Sequence, residues 1–165
     1  MTAKTAFTVE EWATLRNTPT RVAAAMMLAG NSGLLGSFKE SFATAQSMFQ
    51  GLSRSNELIK ALSPREAVKE APTFVRSQVS SSEAAPAPAK FSTLATSGTT
   101  SALNILKTRG SADDISSYKQ CLIGSADPIS TVAKEGGFLG LGGELASTGE
   151  HPFMQALKGA TVSIA

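Results

Sequence analysis

Residues that carry chemistry are scarce in this chain. Its 165 residues include one cysteine, one histidine, one tryptophan and one tyrosine. With Cys121 alone, no intrachain disulfide can form. One Cys and one His together exclude a Cys/His zinc site, and nothing else in the sequence points to a metal or a cofactor. Charge is scarce as well: Asp, Glu, Lys and Arg make up 17% of the residues and the formal net charge is +2. No Lys/Arg cluster is interleaved with aromatics, so no nucleic-acid partner is expected. No apolar run approaches the roughly 18 residues of a membrane span, and the longest candidate, Val22 to Leu28, is far shorter. Met1 to Phe7 lacks the apolar run of a signal peptide, which makes a cytoplasmic, reduced setting the expectation.

What the chain does have is a hydrophobic fraction of 42% and many small residues, a globular helical composition. The length suits a single domain, 1–165, able to bury a core of its own. Thr8-Val9-Glu10-Glu11 reads as a capping box, with Phe7 and Trp12 placed for a hydrophobic staple. Trp12, Leu15, Pro19, Val22, Met26 and Ala29 then alternate steps of three and four, opposite a polar stripe of Glu10, Thr14, Asn17 and Arg21. Pro19 predicts a break, giving helices over about 8–17 and 19–29. Leu35, Phe38, Phe42, Ala45, Phe49 and Leu52 form a second series. It extends through Asn56, Ile59 and Leu62 if the helix survives Gly51.

Ser63-Pro64-Arg65-Glu66 is the next start signal, with Ser63 as N-cap and a short helix ending before Pro72. Residues 77–90 are poor in bulky apolar side chains and contain Pro86 and Pro88, and they read as a linker. Helical pattern resumes near Thr99 and stops at Gly110. Ser111-Ala112-Asp113-Asp114 starts a third series through Ile115, Tyr118, Leu122, Ser125, Ile129 and Val132. Gly136 to Gly143 is a glycine-rich loop, and a last helix is expected over about 150–158. The fold class is all-α: a bundle of five to seven helices.

Gly136 to Gly143 resembles a phosphate loop in its glycines alone. No Lys follows and no strand precedes it, so a turn that tucks Phe138, Leu139 and Leu141 inward is the simpler reading. Glu10-Glu11 and Asp113-Asp114 fall in first helical turns, where carboxylates complement the dipole and cap amides, and that reading outweighs paired acid–base catalysis. His151 precedes Pro152 at a helix start and reads as a solvent-facing cap residue. Cys121 reads as a small core residue, and a Cys121–His151 dyad lacks a third, orienting group. Asn56 is a polar residue in an apolar seam, suited to fix the register of a partner helix, unless the helix has already ended. Trp12, Phe38, Phe42 and Phe49 read as core.

Ala29 to Glu40 and Ala133 to Glu144 share Ala, Gly, Leu, Gly and Glu in register. These matches imply pseudo-repeat halves, 7–76 and 97–160, joined by 77–90. The opening Phe7-Thr8-Val9-Glu10-Glu11-Trp12 with Ser32-Gly33-Leu34-Leu35-Gly36, and the ending Val132-Ala133-Lys134-Glu135-Gly136-Gly137-Phe138-Leu139-Gly140-Leu141-Gly142-Gly143-Glu144, resemble a family of small, uncharacterised bacterial helical proteins. The resemblance covers the two ends of the chain. It implies an all-α fold and a bacterial origin, and it carries no activity.

The function expected from these features is a non-enzymatic structural or protein-interaction domain that self-associates or docks on another protein. Phe138, Leu139, Leu141, Trp12 and Asn56 are its interaction candidates. One alternative is a peripheral membrane or lipid-binding protein using the Gly136–Gly143 loop, against which the missing Lys/Arg belt counts. Another is an enzyme with a small-molecule pocket between the halves, for which Cys121, Tyr118 and His151 are the available chemistry.

Overall fold

The capping box forms as its spacing predicts. In the computed structural model the Thr8 amide donates to Glu11 Oε2 at 2.8 Å, and the Glu11 amide donates to Thr8 Oγ1 at 3.2 Å. Phe7 and Trp12 meet with ring centroids 5.9 Å apart, completing the staple. The structure describes residues 4–29, 49–78, 88–135 and 150–162, with side chains up to 126 in the third stretch and from 152 in the fourth. After a short 3-10 turn at Lys4–Ala6, the helices are α1 (Val9–Ala29), α2 (described over 49–55), α3 (Glu57–Leu62), α4 (Pro64–Lys69), α5 (Ala71–Gln78), α6 (Pro88–Arg109), α7 (Ala112–Glu135) and α8 (Glu150–Val162). No strand occurs among the described residues, and the chain is an all-α bundle.

α1 is the central element. It packs most extensively on α6 and also touches α4, α5, α7 and α8. From Thr18 to Met27 every residue except Arg21 is buried, which is the pattern of a helix enclosed by neighbours rather than laid on one face of a core. α6 runs antiparallel to α1. Arg109 at its end donates from Nε to Glu11 Oε1 at 2.8 Å, while Gly98 in its middle lies beside Thr18. The buried stripe of α6 is Phe91, Ala95, Gly98, Thr99, Ala102, Leu103 and Leu106. Phe153 and Leu157 of α8 and Tyr118, Cys121 and Leu122 of α7 join the same core.

Two expectations need correction, both at prolines. Pro19 does not divide the first helix, which is one element over Val9–Ala29. The helix after Ser63 is short and ends before Pro72, as expected, but α5 follows at once with Pro72 in its first turn, where the missing N–H would have no helical partner anyway. The helix expected from near Thr99 begins at Pro88, as α6, so the expected 77–90 linker overlaps helix at both ends. α2 passes through Gly51 and ends at Asn56, which caps α3 instead of continuing the seam. Ser63 sits in the left-handed region at φ 49° and makes no side-chain cap to α4. Phe38, Phe42, Phe138, Leu139, Leu141 and most of both repeat segments lie outside the described residues.

Candidate functional site

Among the described residues, Tyr118, Cys121, Glu11 and Asp114, which suggested chemistry, are taken up by the fold. Proline at position 19 has no N–H, which leaves the Leu15 carbonyl without its helical donor. The Tyr118 hydroxyl, from α7, donates to that carbonyl at 2.7 Å. Burial pushes the Tyr118 phenol well above its usual range. The Cys121 thiol, one turn along α7 and 1% exposed, is pushed by burial up to about 12. A thiol so placed is neutral at ordinary pH, the opposite of an activated nucleophile. α8 carries position 151 within its first turn; the His151 side chain lies outside the described residues.

The acidic pairs hold helix starts. Glu11 is engaged by the Thr8 amide and by Arg109, and the Thr8 contact is the main cause holding its carboxyl below the usual range. Asp114 closes a second capping box, accepting at Oδ2 from the Ser111 amide at 2.9 Å and from the Ser111 hydroxyl at 2.8 Å, while its own amide donates to Ser111 Oγ at 3.1 Å. Asn56 ties this start to that of α3. Its Oδ1 accepts from the Ile59 amide at 3.0 Å, and its Nδ2 donates to Asp113 Oδ2 at 2.8 Å and to Asp114 Oδ1 at 3.0 Å. Asn56 and Asp114 are both buried. Asn56 therefore fixes register between two helices of its own chain. Trp12 stays half-buried, with Lys4 Nζ 5.4 Å above its ring.

The described surface includes two clefts of ligand size. The first, of about 320 Å³, lies between α1 and α5 and is lined by Asn17, Thr20, Arg21, Glu70, Thr73, Phe74 and Ser77. Arg21 is its unusual member. Its Nε is buried without a hydrogen-bond partner, and its guanidinium makes no ion pair among the described residues. The second, of about 370 Å³, is bordered by Arg54, Lys60 and Arg65 with Glu66, over the buried Phe49. Sequence reasoning placed Arg21 in a polar stripe, where the helical period alone gives no sign of the cleft. That signal needed α5, whose start at Ala71 was not expected.

Among the described residues no three His, Cys, Asp or Glu side chains converge to hold a metal ion, and no helix is long and apolar enough to cross a membrane. No family model, curated protein or solved structure matches the chain. The reading of its surface therefore rests on its own geometry.

Proposed function

We propose that this chain is a non-enzymatic helical interaction domain that self-associates. The observation that carries the reading is the engagement of its chemistry-bearing side chains. The Tyr118 hydroxyl serves a backbone carbonyl, the Cys121 thiol is enclosed and neutral, and the carboxylates of Glu11 and Asp114 cap helices. Asn56 is turned inward, so of the interaction candidates Trp12, Phe138, Leu139 and Leu141 remain for a partner. The described helices expose only Val9 and Val162 as large apolar residues. On this reading the contact between copies is supplied by the apolar residues of the Gly136–Gly143 sequence rather than by an open helix face.

Light scattering on a size-exclusion column tests it. The expected outcome is a defined mass above the 17.0 kDa of one chain, returning to one chain in a Phe138→Ser/Leu141→Ser variant. A monomer across the concentration range would overturn self-association. Co-sedimentation of that monomer with anionic vesicles would move the Gly136–Gly143 sequence to a membrane role.

A further inference from the structure

We propose that the cleft between α1 and α5 is a binding site for a small organic carboxylate, with Arg21 as its anchor. Sorting the polar groups of the cleft by what they already bind leads to this ligand. The Thr20 hydroxyl donates to the Ala67 carbonyl at 2.6 Å, and the Ser77 hydroxyl donates to the Phe74 carbonyl at 2.8 Å. Both protons are engaged, so these hydroxyls offer only lone pairs to a ligand. The Arg21 guanidinium, the Asn17 amide and the Thr73 hydroxyl have no partner among the described residues. The groups left open toward the cleft thus include two donors around one fixed cation, which is the complement of an oxyanion.

Charge decides which oxyanion. Glu70 lines the cleft, and Arg16 lies 3.5 Å from its carboxylate. With that pair neutralised between its members, the cleft carries one positive charge, that of Arg21. A monoanion balances it, whereas a phosphate of about two charges would meet Glu70 uncompensated. Phe74 adds an apolar wall, braced edge-on by Phe91 with ring centroids 6.0 Å apart, against which a short hydrocarbon body can lie. The volume suits a small ligand, and a planar guanidinium suits a carboxylate head.

A glycine of α6 lies beside Arg21. Gly98 of α6 approaches so closely that a Cβ there would lie 3.4 Å from Arg21 Nη1 and 3.3 Å from Thr18 Oγ1. The missing Cβ thus leaves beside α6 the room in which the Arg21 guanidinium lies.

The test is a titration of the full-length, isotope-labelled protein with sodium butyrate, followed by amide shifts at constant ionic strength, with butyramide and inorganic phosphate as controls. Saturable shifts at Thr73, Phe74 and Ser77 are expected with butyrate and not with butyramide. Arg21→Gln should weaken binding by about tenfold or more, and Arg21→Lys by less. Should Arg21→Gln fail to fold, Thr73→Glu decides. Its position is exposed, and a carboxylate there should compete with the ligand and weaken binding by a similar factor. Absence of saturation, shifts indifferent to both variants, or tighter binding of phosphate than of butyrate would each overturn the assignment. None of these outcomes bears on self-association, which is read from mass alone.

Discussion

Tyr118 and Pro19 sit on different helices, and each accounts for the other. A proline ten residues into a buried helix normally costs about 3 kcal/mol, because it removes one hydrogen bond and crowds the carbonyl four residues earlier. Here the displaced carbonyl is Leu15, and it receives a buried phenol proton at 2.7 Å. Tyr118→Phe should destabilise the fold by about 1–3 kcal/mol, the cost of an unsatisfied buried acceptor. In a Pro19→Ala background, where residue 19 regains its N–H, the same change should cost less. Urea unfolding of the four proteins measures the coupling, and equal effects of Tyr118→Phe in both backgrounds would sever the link. Cys121 gives a second residue-scale prediction. Its thiol rises from 9.0 to about 12 on folding because burial penalises the thiolate. Between those values the unfolded chain binds fewer protons than the folded one, so stability present below about pH 9 is lost as pH rises, at up to about 1.4 kcal/mol per unit. Tyr118 shifts in the same direction and steepens the loss above pH 10. Cys121→Ala should flatten the dependence between pH 9 and 10, and denaturant midpoints across that interval would register it.

Between elements, the Asn56 knot joins two helix starts that the sequence holds far apart. At the start of α3 the Ile59 amide donates to Asn56 Oδ1, and Asn56 Nδ2 donates in turn to the Asp113 and Asp114 carboxylates at the start of α7, so one side chain caps one helix while donating to the other. Asn56→Ala would remove a cap and leave a buried carboxylate short of a donor, for a combined loss of about 2–4 kcal/mol. Asn56→Asp keeps the cap acceptor but sets a third carboxylate against two. Its stability deficit should shrink as pH falls and the cluster takes up protons, whereas the Ala deficit should not shrink in that way. Chemical denaturation at pH 7 and at pH 4 separates the two mechanisms. Both helix starts were legible in the sequence, Thr8–Glu11 as a capping box and Ser111–Asp114 as a start signal, because the residues that mark them lie three apart. The reach from Asn56 to Asp113 was not, because nothing local distinguishes a residue in an apolar seam from one turned toward a distant helix. The early start of α6 was hidden for another reason. Its core contacts include Ala95, Gly98 and Ala102, small residues that carry little hydrophobic signal but allow α1 to approach closely.

Across the whole molecule, the arrangement follows from α1 being enclosed. Periodicity in α1 predicted one apolar stripe and one polar stripe, and the first two turns keep that division: Glu10 and Asn17 are exposed while Leu15 is fully buried. Beyond Pro19 the division fails. Val22, Ala23, Ala24, Ala25 and Met26 are all at most 2% exposed, because α6, α7, α8, α4 and α5 surround the helix. The alanines gave no warning, since a small residue reads as neutral in any stripe. Their consequence is testable. Three consecutive helical positions sweep an arc of about 200°, so a helix packed on one face would leave at least one of Ala23, Ala24 and Ala25 tolerant of a larger side chain. An enclosed helix leaves none. Leucine at each position in turn should destabilise by about 1–3 kcal/mol through overpacking. The exposed Ala13 of the same helix should accept leucine with little change. Thermal unfolding of the four single variants reads the result. If one of the three buried alanines accepted leucine as readily as Ala13, α1 would have an open side there, and a second chain could dock along it rather than through the glycine-rich segment after α7.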